Sequence, residues 1–312
     1  MNATIPVDGL PLAARRRGLL LASLGAVAFS GKAIIVKLAY RYGVDAVTLI
    51  MYRMLFALPL FVVLAWWSGR GKPALTWRDI RTVLGLGFCG YYLASFLDFA
   101  GLRYISASLE RLILYLNPTL VLGLGAFLFH KKVTRSQILA LAVSYLGVLC
   151  VFGRETSLQG ADVLLGATLI FSSAISYAIY LSYSGEEVKR LGALRLTGLA
   201  TTVACMICIA QFLILRPLSA VVVPAPVLWL SVLNATLCTF APVLMVMMAI
   251  ERIGASLTAQ AGSVGPLSTI LLAVVLLGEP FTVWIAVGTG LVLSGIWLLT
   301  RAQSTDLPQV SP

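Results

Sequence analysis

The chain has 312 residues, of which 60% are hydrophobic and only 11% are charged. Soluble domains average about 25% charged residues, so the composition excludes a soluble globular enzyme, a disordered chain, a collagen-like chain and a disulfide scaffold. The net charge of +11 is what basic cytoplasmic loops give a polytopic membrane protein, and nucleic-acid binding is not expected.

Apolar runs of about 20 residues cross roughly 30 Å of hydrocarbon as helices. Ten such runs follow one another, at 18–38, 45–67, 79–100, 105–129, 134–152, 162–183, 194–214, 226–249, 254–277 and 282–300. Residues 1–14 read as a disordered cytoplasmic tail, 15–152 and 153–301 as two five-helix units, and 302–312 as a second tail. The connections are short and polar, such as SGRGKPALTWRD at 68–79 and SGEEVKRLGALR at 184–195. Arg15, Arg16 and Arg17 precede an apolar stretch in which Ala26-Val27-Ala28 resembles a signal-peptidase site. Cleavage there would leave nine spans, so a retained first helix is expected. Cys89, Cys150, Cys205, Cys208 and Cys238 all fall in apolar runs. Cys205-x-x-Cys208 has redox spacing without a βαβ context, which makes small packing residues the expectation.

Loop charges predict orientation. With the N-terminus inside, inside segments carry 15 Lys and Arg residues and outside segments carry 5: Lys37, Arg41, Arg103, Arg154 and Arg216. Both termini are therefore expected in the cytoplasm.

The fourth and ninth runs repeat each other. Residues 105–109 read ISASL and 253–257 read IGASL. At that offset of 148, Pro118 matches Pro266, Thr134 matches Thr282 and Gly147 matches Gly295, among nine identities in 43 positions. Five helices per unit is an odd number, so the two units must insert with opposite orientation. The loops agree: His130-Lys131-Lys132 falls inside and Gly278-Glu279-Pro280 outside. Inverted repeats are a construction of secondary transporters, with substrate bound near the midplane.

With Ala100–Ser108, Ala249–Ser256, Pro118, Pro266 and LLGEP at 276–280 followed by Gly288 and Gly295, the chain resembles the drug/metabolite transporter superfamily, in its form with two EamA-type repeats. The resemblance covers about 15–300 and is stronger in the second half. It departs at His130-Lys131-Lys132, where a Gly-Glu-containing loop is usual, and at Lys32 in AFSGKAII, where Trp and small polar residues are usual. The resemblance implies an all-α membrane protein of ten transmembrane helices in two inverted five-helix repeats, around a central polar cavity. It implies carriage of amino acids, nucleotide-like metabolites or other small polar solutes without choosing among them.

Ionisable residues inside spans are expensive in lipid and are functional suspects. Lys32, Arg53, Asp98, Glu110 and Arg111 are the clear cases, all in the first half and all within roughly 3–12 Å of the outer edge by helical rise. The second half offers Ser176, Asn234, Thr258 and Gln260 instead. Three cations and two anions suit a substrate with a carboxylate, while internal pairing that locks helices together is the other reading. Asp98 lies near a helix end, where a solvated carboxylate is the alternative, and Arg53 has a structural reading by snorkelling or pairing. Glu110 and Arg111 point about 100° apart, with Glu110 the expected inward residue. A carboxylate in an apolar cavity gains proton affinity, so Glu110 is a candidate for proton coupling. Tyr91, Tyr177 and Tyr180 have ring faces and hydroxyls suited to an amphipathic solute. The substrate-binding candidates are thus Lys32, Glu110 and Arg111, followed by Tyr91, Tyr177, Tyr180, Asn234 and Gln260.

No G-x-x-x-x-G-K-[ST] loop is present, and His130 is the only histidine. An ATPase site, a His-based metal site, a catalytic site and a cofactor are therefore not expected. The expected function is secondary transport of a small polar metabolite such as an amino acid, as an exporter in a bacterial inner membrane, with membrane lipid and a small solute as the partners. A non-transporting scaffold or sensor of the same fold is the second reading.

Overall fold

A computed structural model describes residues 12–130, 133–262 and 264–305. Lys131, Lys132 and most of the two expected tails lie outside the described residues. In chain order the helices are α1 (Leu12–Tyr40), α2 (Ala46–Gly69), α3 (Trp77–Leu86), α4 (Ala94–Gly101), α5 (Ala107–Leu114), α6 (Asn117–Phe129), α7 (Arg135–Gln159), α8 (Ala161–Leu191), α9 (Ala193–Leu215), α10 (Ala225–Ala235), α11 (Ala241–Gly262), α12 (Val264–Leu272) and α13 (Val283–Thr305). Seven-residue and five-residue π-helical turns, Gly87–Leu93 and Thr236–Phe240, join α3 to α4 and α10 to α11. A third, Ala273–Leu277, extends α12.

Eight of these continuous stretches are long and apolar enough to cross a membrane. The fourth expected crossing is not continuous: α5 and α6 are separated by Tyr115 and Leu116. The ninth falls on the end of α11 and on α12. No loop divides the eighth expected crossing from the ninth: α11 runs through 250–253. Its neighbours along α1 nevertheless show the chain turning round. Gly31 faces Cys238, Gly25 faces Met245 and Val246, Gly18 faces Ile253, and Gly265 returns beside Ala26. The reversal therefore falls inside α11 near Ile253.

The repeat shows itself in backbone irregularities as well as in sequence. The π turn Gly87–Leu93 recurs, 148 residues on, as Thr236–Phe240. The left-handed residue that closes α6, His130 at φ 51°, recurs as Gly278 at φ 73°. Only glycine adopts that conformation freely, so the first half carries a strain that the second avoids.

The halves interlock. α1 packs along α11, α2 along α9, α4 along α8, α5 on α12 and α7 along α13. Each contact joins one repeat to the other, and exchanging the repeats maps the set onto itself. At the α7–α13 crossing the backbones nearly touch, since a Cβ placed on Gly288 would lie 2.6 Å from the Gly147 carbonyl oxygen. Large apolar side chains cover the outside of the bundle, Phe127 and Ile214 being 80% exposed, as expected of surface that faces hydrocarbon. Trp66, Trp67 and Trp77 near one end and Trp229 and Trp284 near the other are also exposed, which matches interfacial belts.

Asp45 caps α2 from the end of the bundle where α1 finishes. Its carboxylate accepts from the Val47 and Thr48 amides and the Thr48 hydroxyl, and pairs with Arg216 at 3.0 Å. Burial opposes ionisation there, but Thr48 and Arg216 outweigh it and hold the carboxyl below its usual range. Because the folded value is depressed, the stabilisation is present above the ordinary Asp range and is lost as pH falls through the folded value. Asp45→Asn should lower the unfolding temperature at neutral pH and flatten the acid limb, so that variant and parent converge at low pH. At the α7–α13 crossing, Gly288→Val should destabilise the protein by about 1–3 kcal/mol through overpacking. Gly290→Val, where a Cβ meets open space, should leave the melting temperature in detergent close to that of the parent.

Candidate functional site

Three elements of the first half bring their charges together. Lys32 projects from α1, Asp98 from α4, and Glu110 with Arg111 from α5. The α5 start is set locally: the Ser106 hydroxyl accepts from the Leu109 amide at 3.0 Å, an N-cap that places Glu110 and Arg111 in the first two turns. The π turn before α4 shifts the face that its later residues present and so helps to aim Asp98 at α1.

Lys32 Nζ donates to Asp98 Oδ2 at 2.5 Å and lies 3.5 Å from Glu110 Oε1. Arg111 Nε lies 4.0 Å from Glu110 Oε2, and Arg111 Nη2 donates to the Phe29 carbonyl at 3.2 Å. Glu110 is fully buried, as expected for the inward residue. Arg111 nevertheless turns to the same helix: it meets α1 at Phe29, one turn from Lys32. Asp98 is 2% exposed, so the solvated alternative is excluded. Arg53 is also buried. Its Nε donates to Thr239 Oγ1 at 3.0 Å, inside the π turn of the second half, and its guanidinium lies 5.2 Å from the centre of the Phe99 ring.

The set is paired but incompletely hydrogen bonded. Neither oxygen of Glu110 has a hydrogen-bond donor, and Asp98 Oδ1, Arg111 Nε and Arg53 Nη1 also lack partners. An ion pair 4 Å apart is worth about 4 kcal/mol at an effective dielectric of 20. Desolvation costs several kcal/mol for each ion. The cluster is therefore close to break-even as a stabilising device, and its open hydrogen-bonding positions are available to a polar ligand.

The tyrosine candidates lie apart from it. Tyr91, Tyr177 and Tyr180 form their own cluster: the Tyr91 and Tyr180 hydroxyls are 3.1 Å apart, and the Tyr177 and Tyr180 rings stack at 5.5 Å. They pack with Val83, Leu86, Leu191 and Leu196 between α3, α8 and α9. Asn234 is buried beside the second π turn with its Oδ1 unpartnered. Gln260 belongs to α11, but its side chain lies outside the described residues. Cys205 and Cys208 are free and sit in the apolar core.

Three further polar residues meet at the breaks and ends of these helices. The Tyr115 hydroxyl donates to the Gly262 carbonyl at 2.9 Å, tying the break in the fourth crossing to the end of α11. Glu279 accepts from the Ala107 amide at 2.8 Å and from the Ser108 hydroxyl at 2.8 Å. Glu155 accepts from the Ser106 amide at 3.3 Å and from its hydroxyl. Two carboxylates, one from the end of α7 and one from the segment after Leu277, thus hold the start of α5. Both lie just beyond the expected span ends, where a carboxylate reads as solvated loop; the signal that would have found Glu279 is its place in LLGEP.

The sequence profile of the EamA-like transporter family matches residues 16–153 and 164–301, two stretches offset by the same 148 residues as the repeat. The chain belongs to this family. It is 28% identical over 280 residues to the uncharacterized transporter YcbK of Bacillus subtilis (strain 168), covering 88% of this chain and 89% of that one. An uncharacterized transporter of Archaeoglobus fulgidus is 26% identical over 269 residues, covering 84% and 92%. A solved structure titled "Crystal structure of protein" superposes with a TM-score of 0.62 at 18% identity, covering 93% of this chain and 98% of that one, a likeness of fold. This EamA-like transporter is accordingly a multi-pass integral membrane protein with ten crossings in two inverted repeats.

Removing Lys32 leaves two buried carboxylates short of their shared cation. Lys32→Met should cost about 3–5 kcal/mol, read as a lowered unfolding temperature in detergent, and Lys32→Met with Asp98→Asn should recover a large part of that loss.

Proposed function

We propose that this EamA-like transporter is a secondary carrier for a small zwitterionic solute, an amino acid or a close relative, working by alternating access around Lys32, Asp98, Glu110 and Arg111. The observation that carries this reading is a set of opposite charges, buried among helices that meet the second half, whose hydrogen-bonding capacity is left partly unused. A zwitterion can enter such a set without changing its net charge. Its ammonium takes the free oxygens of Asp98 and Glu110, and its carboxylate takes Arg111 or Lys32. Tyr91, Tyr177, Tyr180, Asn234 and Gln260 are secondary contacts in this scheme, reached as the two halves rock against each other.

The broken fourth crossing supports the same mechanism. It meets the second half where Tyr115 donates to Gly262, and discontinuous helices at the repeat interface are where alternating access is organised in inverted-repeat carriers. The excess of Lys and Arg in alternate loops supports both termini in the cytoplasm of a bacterial inner membrane, with export as the working direction. Glu110 is the residue we assign to proton coupling. A fully buried carboxylate without a hydrogen-bond donor can discharge its ion pairs by taking a proton when Lys32 turns to substrate.

Counterflow in proteoliposomes preloaded with amino acids or with small carboxylates tests the reading. Accumulation of labelled amino acid is expected, absent from empty vesicles. Glu110→Gln should retain counterflow and lose its dependence on a pH gradient; a variant that keeps that dependence removes Glu110 from proton coupling. Failure of folded protein to accumulate any amino acid would overturn the substrate class.

A further inference from the structure

A second polar site lies at the end of the bundle opposite the start of α1. It is a cavity of about 700 Å³ between the end of α1, the turn at 102–106, the end of α7 and the segment 277–285. Its floor is the start of α5. Glu110 lies four residues below Ser106, or about 6 Å along the helix, so the cavity stands directly over the charged cluster.

The acids of this cavity are all engaged. Asp45 binds Thr48 and Arg216. Glu155 binds Ser106, and Glu279 binds Ala107 and Ser108. Lys37 donates to the Ile105 carbonyl at 2.7 Å and the Leu102 carbonyl at 3.3 Å. Three guanidiniums remain at the rim: Arg41, Arg103 and Arg154. All three are exposed, and among the described residues none forms an ion pair. Arg41 donates to the Leu277 carbonyl at 2.9 Å, which leaves its charge uncompensated. The lining sets Lys37, Arg41, Arg103 and Arg154 against Asp45, Glu155 and Glu279, four cations to three carboxylates before Arg216 is counted; with the carboxylates turned to amides and hydroxyls, the guanidiniums are what an entering anion meets, and guanidinium forks match carboxylates in geometry.

We propose that this cavity, on the outer side in the orientation given above, is a binding site for small organic anions bearing carboxylates, separate from the central cluster and lying on the exit route from it. Arg41, Arg103 and Arg154 hold the anion, and Trp284, at the cavity wall, reports its binding. That the site lies on the exit route of a carried solute rests on the function proposed above; the binding itself does not.

The test is equilibrium binding to the full chain in nanodiscs of phosphatidylcholine, without any transport step, so a failure of flux and a failure of this site are told apart. Succinate, its uncharged analogue succinamide and inorganic phosphate are titrated by calorimetry and by tryptophan emission. Succinate should bind saturably, weaken at high salt and change the emission, and Trp284→Phe should remove the emission change while leaving the calorimetric affinity. Succinamide should not bind. Arg41→Gln, Arg103→Gln and Arg154→Gln together should weaken succinate by about tenfold or more, the scale of electrostatic focusing in charged clefts, at an unfolding temperature equal to that of the parent. If the triple variant does not fold, Arg103→Gln alone and the salt dependence of the parent carry the test. Equal response to succinamide, salt-independent binding, or unchanged affinity in the folded variants would overturn the proposal. Tighter binding of phosphate than succinate would overturn the carboxylate assignment. Loss of succinate binding in discs containing phosphatidylglycerol would assign the guanidiniums to lipid phosphate instead.

Discussion

Two carboxylates cannot be held inside a lipid-embedded bundle without a cation beside them, and much of this structure follows from that. Asp98 and Glu110 come from different helices, and both are buried. Lys32 serves both, which fixes the depth and rotation of α1 against α4 and α5. α1 in turn packs along α11 and α12, and the Ser30 hydroxyl donates to the Gly265 carbonyl at 2.8 Å. The pairing made within the first half therefore also sets how the second half sits on it.

Backbone polar groups impose the second constraint. In hydrocarbon each amide and carbonyl must find a partner within the protein, so an irregular turn survives only where something covers it. The π turns at 87–93 and 236–240 and the broken fourth crossing obey this. Ser176 donates to the Cys89 carbonyl at 2.8 Å, and Ser173 to the Ala94 carbonyl at 2.6 Å. Thr239 donates to the Asn234 carbonyl at 2.8 Å, and Tyr115 covers Gly262. Hydroxyls supplied across helix contacts thus let the backbone bend near the charged residues, where a rocking carrier has to flex.

The outline of this architecture was legible early. Hydropathy located ten crossings, and Pro118 lies just after the break in the fourth. The π turns at 87–93 and 236–240 were not legible. An inserted residue in a helix leaves no compositional trace, and both segments are simply apolar. The charged cluster was legible as a list of suspects, since Lys32, Asp98, Glu110 and Arg111 stand out in apolar surroundings. The tyrosines show the limit of that reasoning: Tyr91, Tyr177 and Tyr180 share the chemistry of a binding site but pack with one another, away from Lys32.

By itself the amino-acid sequence determined that the protein lives in a membrane, how many times it crosses, and that its halves are inverted copies, because lipid thickness, loop charge and an exact offset are all properties of the linear chain. Tertiary structure alone decided which charge pairs with which. Helices that are apolar on every side carry little periodic signal of how they are rotated about their axes. Only packing of one half into the other turns Lys32 toward Asp98, brings Tyr115 to Gly262, and places Glu155 and Glu279 together on the start of α5.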